Sequence, residues 1–123
     1  MTGQNIFLAW TTGKRNTTEN YIEIALSNWF TESILTPMDV IDSLHFPPGI
    51  AVGHFTQLIH DRNTRVGCAM VQWSDDNGLK KSTRLTCNYW RGNYGNQPVY
   101  DKGETCSDCK VCGKNEFDGL CIE

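Results

Sequence analysis

The stretch that decides the fold runs from Arg65 to Trp90, RVGCAMVQWSDDNGLKKSTRLTCNYW. Two runs rich in β-branched and apolar residues, RVGCAMVQW and STRLTCNYW, flank a polar centre that contains Asn77-Gly78. Asn-Gly between two strand-like runs is the strongest short hairpin signal, because both residues tolerate the positive φ of a tight two-residue turn. With Asn77 and Gly78 as the loop, residues facing each other across the ladder carry numbers that sum to 155. Cys68 then faces Cys87, at a Cα separation a disulfide can span. Counting from the turn makes this a hydrogen-bonded pair, and a slightly longer loop changes that parity. Met70 faces Leu85 and Val66 faces Tyr89, on the same side of the sheet as the cysteines.

Upstream, Thr17 to Leu35 reads TTENYIEIALSNWFTESIL. Ile22, Ala25, Leu26 and Trp29 fall at helical spacing, flanked by Tyr21, Phe30 and Ile34. Thr17 or Thr18 is the expected N-cap, and Glu19 complements the helix dipole in the first turn. Thr36-Pro37 ends the helix, because the residue before proline avoids helical angles. Glu32 follows Trp29 by three residues and shares its buried face, which is unusual for a carboxylate. Residues 36–53 read as a loop with Pro47-Pro48-Gly49, and a short second helix is expected from about Gly53 to about Asp61, GHFTQLIHD.

Composition sets the limits. The chain has 123 residues, enough for one domain, with 39% apolar content and a formal net charge of -3. Mean hydropathy is -0.43, the range of a globular chain. There is no basic footprint for nucleic acid. No window approaches the ~20 apolar residues of a membrane span. No N-terminal charged-then-apolar segment reads as a signal peptide. Six cysteines, Cys68, Cys87, Cys106, Cys109, Cys112 and Cys121, all lie in the C-terminal half. An even, clustered set points to disulfides and an oxidising compartment. Asn16-Thr17-Thr18 is a glycosylation sequon consistent with secretion. Disulfides without a signal peptide lead to the expectation that this chain is not the whole translated product.

Two regions are expected, residues 1–100 as the main domain and residues 101–123 as a cysteine-rich tail. In the tail, C-x-x-C-x-x-C is followed by a fourth cysteine nine positions later. Zinc or an iron-sulfur cluster is one reading of such spacing. The bacterial ferredoxin run instead places its fourth cysteine after three residues and follows it with proline. In an oxidising compartment two disulfides are the expected state; with Cys68 paired to Cys87, three pairings remain in the tail, and Cys106 is expected to bond Cys121 or Cys112.

The main candidate site is His54 with Glu32. The pair can be read as metal ligands, as an acid-base pair, or as a buried hydrogen bond joining two helices, and the last is the expected role. No G-x-S-x-G, H-E-x-x-H or catalytic-cysteine signature accompanies it. Thr56, two residues after His54, points to another side of the helix and is rejected as a nucleophile. Trp10, Trp29, Trp73 and Trp90, with Phe55 and Tyr89, are expected in the core as a class. His45 is expected at the surface.

Several stretches together resemble the CAP superfamily, which holds the cysteine-rich secretory, antigen 5 and pathogenesis-related proteins. They are TGQNIFLAW, NWFTE, GHFTQLI with VGCAMV, TCNYWRGNYGNQPVY, and the tail CSDCKVCGKNEFDGLC, which is similar to that of insect antigen 5-like proteins. The resemblance spans most of residues 2–121. It implies an α+β fold, a three-layer α-β-α sandwich with an antiparallel central sheet, here without its first helix and with a short cysteine-rich tail. It also implies a cavity lined by two histidines and two acids. His54 is the second histidine, Glu32 the second acid, and Gln4 stands at the first acid's position. The first histidine belongs to the segment upstream of Gly3. His60 replaces a usual tryptophan, Arg84 replaces an apolar residue, and NYWRGNY is one residue short and lacks a proline. A zinc ion is the candidate cofactor. The implied function is extracellular binding of a lipid, a sterol or a protein partner without turnover. The alternatives are a metal-dependent hydrolase of the same fold and an inactive truncated isoform.

Overall fold

The computed structural model describes residues 2–122. In chain order the elements are β1 (Gly3–Thr11), α1 (Thr18–Thr31), α2 (Met38–Asp42), α3 (Gly53–Ile59), β2 (Val66–Asp75) and β3 (Lys80–Tyr89). Short 3-10 turns lie at Glu32–Leu35, Asp76–Gly78 and Asn115–Phe117.

The hairpin forms with the expected register: Cys68 pairs with Cys87, Met70 with Leu85 and Val66 with Tyr89. Asn77 and Gly78 have φ of 55° and 89°, and the Leu79 N–H donates to the Asp76 carbonyl at 3.1 Å. The last ladder pair is Asp75–Lys80, so four residues make the loop. Lengthening the loop by one residue on each side keeps every partner and switches the parity. The Cys68 and Cys87 Cα atoms are accordingly 4.1 Å apart, the close spacing of a non-hydrogen-bonded pair. This corrects the parity counted from a two-residue loop.

β1 joins the other edge of β3, giving an antiparallel sheet of order β1-β3-β2. Alternation sorts its two faces. Asn5 and Phe7 on β1, and Thr83, Leu85, Cys87 and Tyr89 on β3, turn inward and are buried. Tyr21, Ala25 and Trp29 of α1 pack against Phe7, Leu85, Cys87 and Tyr89, with Leu58 of α3 at the edge of that cluster. Each large side chain buried there contributes roughly 1.5–3 kcal/mol. A second cluster gathers Val40, Ile41, Leu44, Val52 and Val99 beside α2. Residues 2–122 thus supply the sheet and the helices on one of its faces. On the other face Ile6, Leu8, Trp10, Val71 and Trp73 are exposed. At the sheet end the backbone closes on itself. A Cβ on Gly3 would sit 2.8 Å from the Gly92 Cα, so only glycine lets β1 start that close to the chain leaving β3.

Three expectations need correction. The buried line of α1 is Tyr21, Ala25 and Trp29, whereas Ile22, Leu26, Phe30 and Ile34 are exposed. A four-residue repeat turns one narrow face to the sheet, and the wider stripe overruns it. Of the tryptophans only Trp29 is fully buried; Trp10 and Trp73 lie on the outer sheet face, and Trp90 is 63% exposed beyond the end of β3. Residues 36–53 include a helical turn, α2, whose Val40 and Ile41 reach the second cluster. In the tail, one of the two expected pairings forms: Cys106 bonds Cys112, with Cys109 bonded to Cys121, and Cys106–Cys121 does not form. Cys112 and Cys121 themselves face each other in an antiparallel bridge between the Val111–Ile122 and Gly113–Leu120 hydrogen bonds, and each is bonded to a different cysteine, so the two disulfides and the bridge tie the tail together.

Candidate functional site

Helix α1 is capped locally: the Thr17 hydroxyl accepts the Asn20 N–H at 3.2 Å. Helix α3 has no such device, because its N-cap residue is Val52, whose side chain offers no acceptor. The missing acceptor comes from another element. Glu32, at the start of the 3-10 turn after α1, directs its carboxylate to the first turn of α3. Oε1 accepts the backbone N–H groups of His54 at 3.0 Å and Phe55 at 3.3 Å. Oε2 accepts from His54 Nδ1 at 2.8 Å. One carboxylate therefore caps the helix, complements the positive end of its dipole and orients its histidine.

That contact assigns the neutral imidazole's proton to Nδ1 and leaves Nε2 as the acceptor. The ring stacks on Trp29, with centroids 6.2 Å apart and planes 7° from parallel. The His54 side chain is 42% exposed and that of Glu32 only 13%, so the histidine borders solvent while the acid is enclosed.

His54 lines a cleft of about 330 Å³ together with Gln4, Asn5, Phe46, Ile50 and Val52. The structure thus brings His54 and Glu32 into direct contact and places Gln4 at the edge of the His54 cleft, while the Gln4 Nε2 donates to Asn88 Oδ1 at 2.7 Å. Asn16 is exposed just before α1, and its backbone N–H donates to the Tyr21 hydroxyl at 3.2 Å. All six cysteines are in disulfides.

Several residues that sequence reasoning passed over hold the site together. Asn5 is 1% exposed. Its Nδ2 donates to the His54 carbonyl at 3.1 Å and reaches the Tyr89 hydroxyl at 3.3 Å. Burial raises the Tyr89 pKa, and the Asn5 hydrogen bond opposes that. Asn93 Nδ2 donates to the Gly53 carbonyl at 3.0 Å. The fully buried Thr56 hydroxyl lies 3.1 Å from Asn93 Oδ1 and 3.2 Å from the Gly53 carbonyl, so it is engaged away from His54. Gln57 and Asn63 clamp Arg91 by its backbone: Gln57 Nε2 donates to the Arg91 carbonyl at 2.6 Å, and the Arg91 N–H donates to Asn63 Oδ1 at 2.7 Å. Polar residues just before and after the apolar signatures were the available signal. Such side chains are buried when they satisfy backbone groups.

His60 ends α3 with its side chain buried. Its Nδ1 accepts the Arg62 N–H at 3.2 Å. Burial first, then the Arg91 charge, lowers its pKa below the ordinary value, with Asp61 opposing and Arg62 adding to the fall.

The donor set does not fit a resident zinc. Zinc sites take three or four protein ligands. Here His54 offers one nitrogen, both Glu32 oxygens are already accepting, and Gln4 offers an amide. Among the described residues no group of three or more His, Cys, Asp or Glu side chains could hold a metal ion. No helix among them is long and apolar enough to cross a membrane.

Comparison with known proteins agrees with this architecture. Residues 2–89 match the profile described as CAP: Cysteine-rich secretory protein family. The chain belongs to that family. Its relatives include Venom allergen-1 of Aedes albopictus, 34% identical across 97% of this chain and 46% of that protein. Venom allergen-1 of Aedes aegypti is 32% identical over the same shares. The chain therefore spans just under half the length of these two relatives. Among solved structures, NaASP2 with Zn2+ superposes with a TM-score of 0.73 at 29% identity, over 98% of this chain and 60% of that one. Na-ASP-1 gives 0.72 at 27% identity, over 98% and 30%.

Proposed function

We propose that this is a secreted antigen 5-like CAP protein that acts by extracellular binding, without turnover, on a lipid, a sterol or a protein partner. The observation that carries this reading is Glu32, whose two oxygens accept three hydrogen bonds within the fold. A carboxylate so occupied caps a helix and fixes a ring. A general acid or base needs to reach the proton of a bound substrate. A lipid or sterol is further supported by a second cleft, of about 360 Å³, lined by Phe30, Met38, Ile41, Phe55, Ile59 and Tyr100. Apolar walls of that kind suit an acyl chain or a sterol ring system.

Titration with a fluorescent sterol and with a fluorescent fatty acid tests the reading. It predicts saturable binding of one of them, weakened by Phe30→Asp at the mouth of the second cleft. Absence of saturable binding of either probe removes the lipid reading and leaves a protein partner. The hydrolase alternative draws on one feature. A histidine that lines a cleft and whose Nδ1 is held by a carboxylate has the tautomer of a metal-ligating imidazole. The further ligands such a metal needs would have to come from outside the set described above.

A further inference from the structure

We infer that Arg62, Arg65 and Arg91, arranged around Trp90, form a binding site for a sulfated glycan, separate from the His54 cleft and from the apolar cleft. Trp90 stands 63% exposed between two adjoining hollows. One, of about 290 Å³, is lined by Arg62, Arg91, Tyr94, Thr2 and Trp90. The other, of about 180 Å³, is lined by Arg65, Asn88 and again by Thr2 and Trp90. Two of the guanidinium groups lie on aromatic rings: the Arg65 Cζ is 5.7 Å from the Trp90 ring centre and the Arg91 Cζ is 4.5 Å from that of Tyr94.

The backbone under these side chains is laced together. The Trp90 N–H donates to the Arg65 carbonyl at 3.0 Å. Asn63 and Gln57 hold both backbone ends of Arg91, and Asn63 Nδ2 also donates to the Gln57 carbonyl at 3.3 Å. The cations are thus presented on a fixed frame, which lowers the entropy lost on binding. Asp61 and Asp101 lie 3.8 and 3.5 Å from Arg62, and both line a different hollow toward the tail. Neither lines the hollows beside Trp90.

The chain carries a net charge of -3. Asp61 and Asp101 offset Arg62, but Arg65 and Arg91 lie in none of the ion pairs among the described residues, so the surroundings of the exposed tryptophan are a local reversal. Planar guanidinium forks pair with sulfate oxygens in two parallel hydrogen bonds. The flat apolar face of a sugar ring covers an indole, as aromatic surface at binding sites commonly requires. A chain of sulfated sugars presents both groups together.

The test is calorimetric titration of the folded protein with a heparin octasaccharide at about 150 mM salt, where long-range attraction is screened. Wild type should bind saturably. Arg65→Gln should weaken binding about tenfold, the loss of one charge-assisted hydrogen-bonded pair. Trp90→Ala should weaken it without changing the net charge. Lys110→Gln, an equal charge change in the tail, should leave affinity unaltered. Absence of binding overturns the inference. So does an equal loss in Arg65→Gln and Lys110→Gln, which would mean attraction without a site. Binding to phosphatidylserine vesicles but not to heparin, through Arg65 and Trp90, would also overturn it in favour of a lipid headgroup. Full displacement by an equal charge concentration of inorganic sulfate would overturn the requirement for a sugar.

Discussion

Glu32→Ala is the most informative single change, because one carboxylate performs three tasks. Its removal leaves the N–H groups of His54 and Phe55 at the start of α3 without their acceptor, and Val52 cannot substitute. Loss of a helix cap costs about 1 kcal/mol. Loss of the hydrogen bond from His54 Nδ1 adds about 1.5 kcal/mol, the low end for a bond to a charged group, because water reaches a ring that is 42% exposed. The sum is about 2–3 kcal/mol. At about 4 °C per kcal/mol for a domain of this size, the melting temperature falls by about 8–12 °C. Glu32→Gln keeps the volume and one oxygen acceptor, so its drop should be about half as large. Thermal melts followed by circular dichroism measure both. A Glu32→Ala protein melting within about 2 °C of wild type would refute the capping role, since an uncapped first turn in a seven-residue helix cannot be that cheap.

Other outcomes follow from the same structure. His60 has a lowered pKa, so the unfolded chain takes up its proton first as pH falls below its ordinary value of 6.5, and stability declines through that range. Melting temperature should drop between neutral pH and pH about 5, and His60→Gln should flatten that drop; an unchanged slope would contradict the assignment. Replacing Cys68 and Cys87 together by alanine releases a closed loop of sequence separation 19, worth about 3 kcal/mol, read as a lower denaturant midpoint. Gly3→Ala places a Cβ 2.8 Å from the Gly92 Cα and should destabilise by about 1–3 kcal/mol, whereas Gly67→Ala, where a Cβ meets nothing within 4 Å, should not.

The hairpin was legible because turn chemistry and cysteine placement state the same register twice. Any loop symmetric about Asn77-Gly78 keeps that pairing, which is why the four-residue loop altered parity and nothing else. Helix α1 was legible from its cap and period, but its buried face was not. Ile22, Leu26, Phe30 and Ile34 carry helical spacing as well as Tyr21, Ala25 and Trp29 do, and only docking on the sheet selects between them. β1 gave no period-two signal of its own, because Ile6, Leu8 and Trp10 on the outer face are as apolar as Phe7 and Ala9 on the inner. Contact between His54 and Glu32 was foreseen; Glu32 as the cap of another helix was not. That role depends on Val52 standing at the N-cap and on the 3-10 turn bringing the acid to it, a tertiary fact without a local motif. Asn5, Asn93, Gln57 and Asn63 were missed for the same reason, since their partners are backbone groups distant in sequence.

The most direct test of the central claim, that His54 and Glu32 serve architecture and binding rather than turnover, is hydrolysis of ester and peptide substrates in the presence of added zinc. Wild type and His54→Ala, both verified as folded, should release product at the same background rate. Turnover by wild type that is lost in a folded His54→Ala protein would contradict the account.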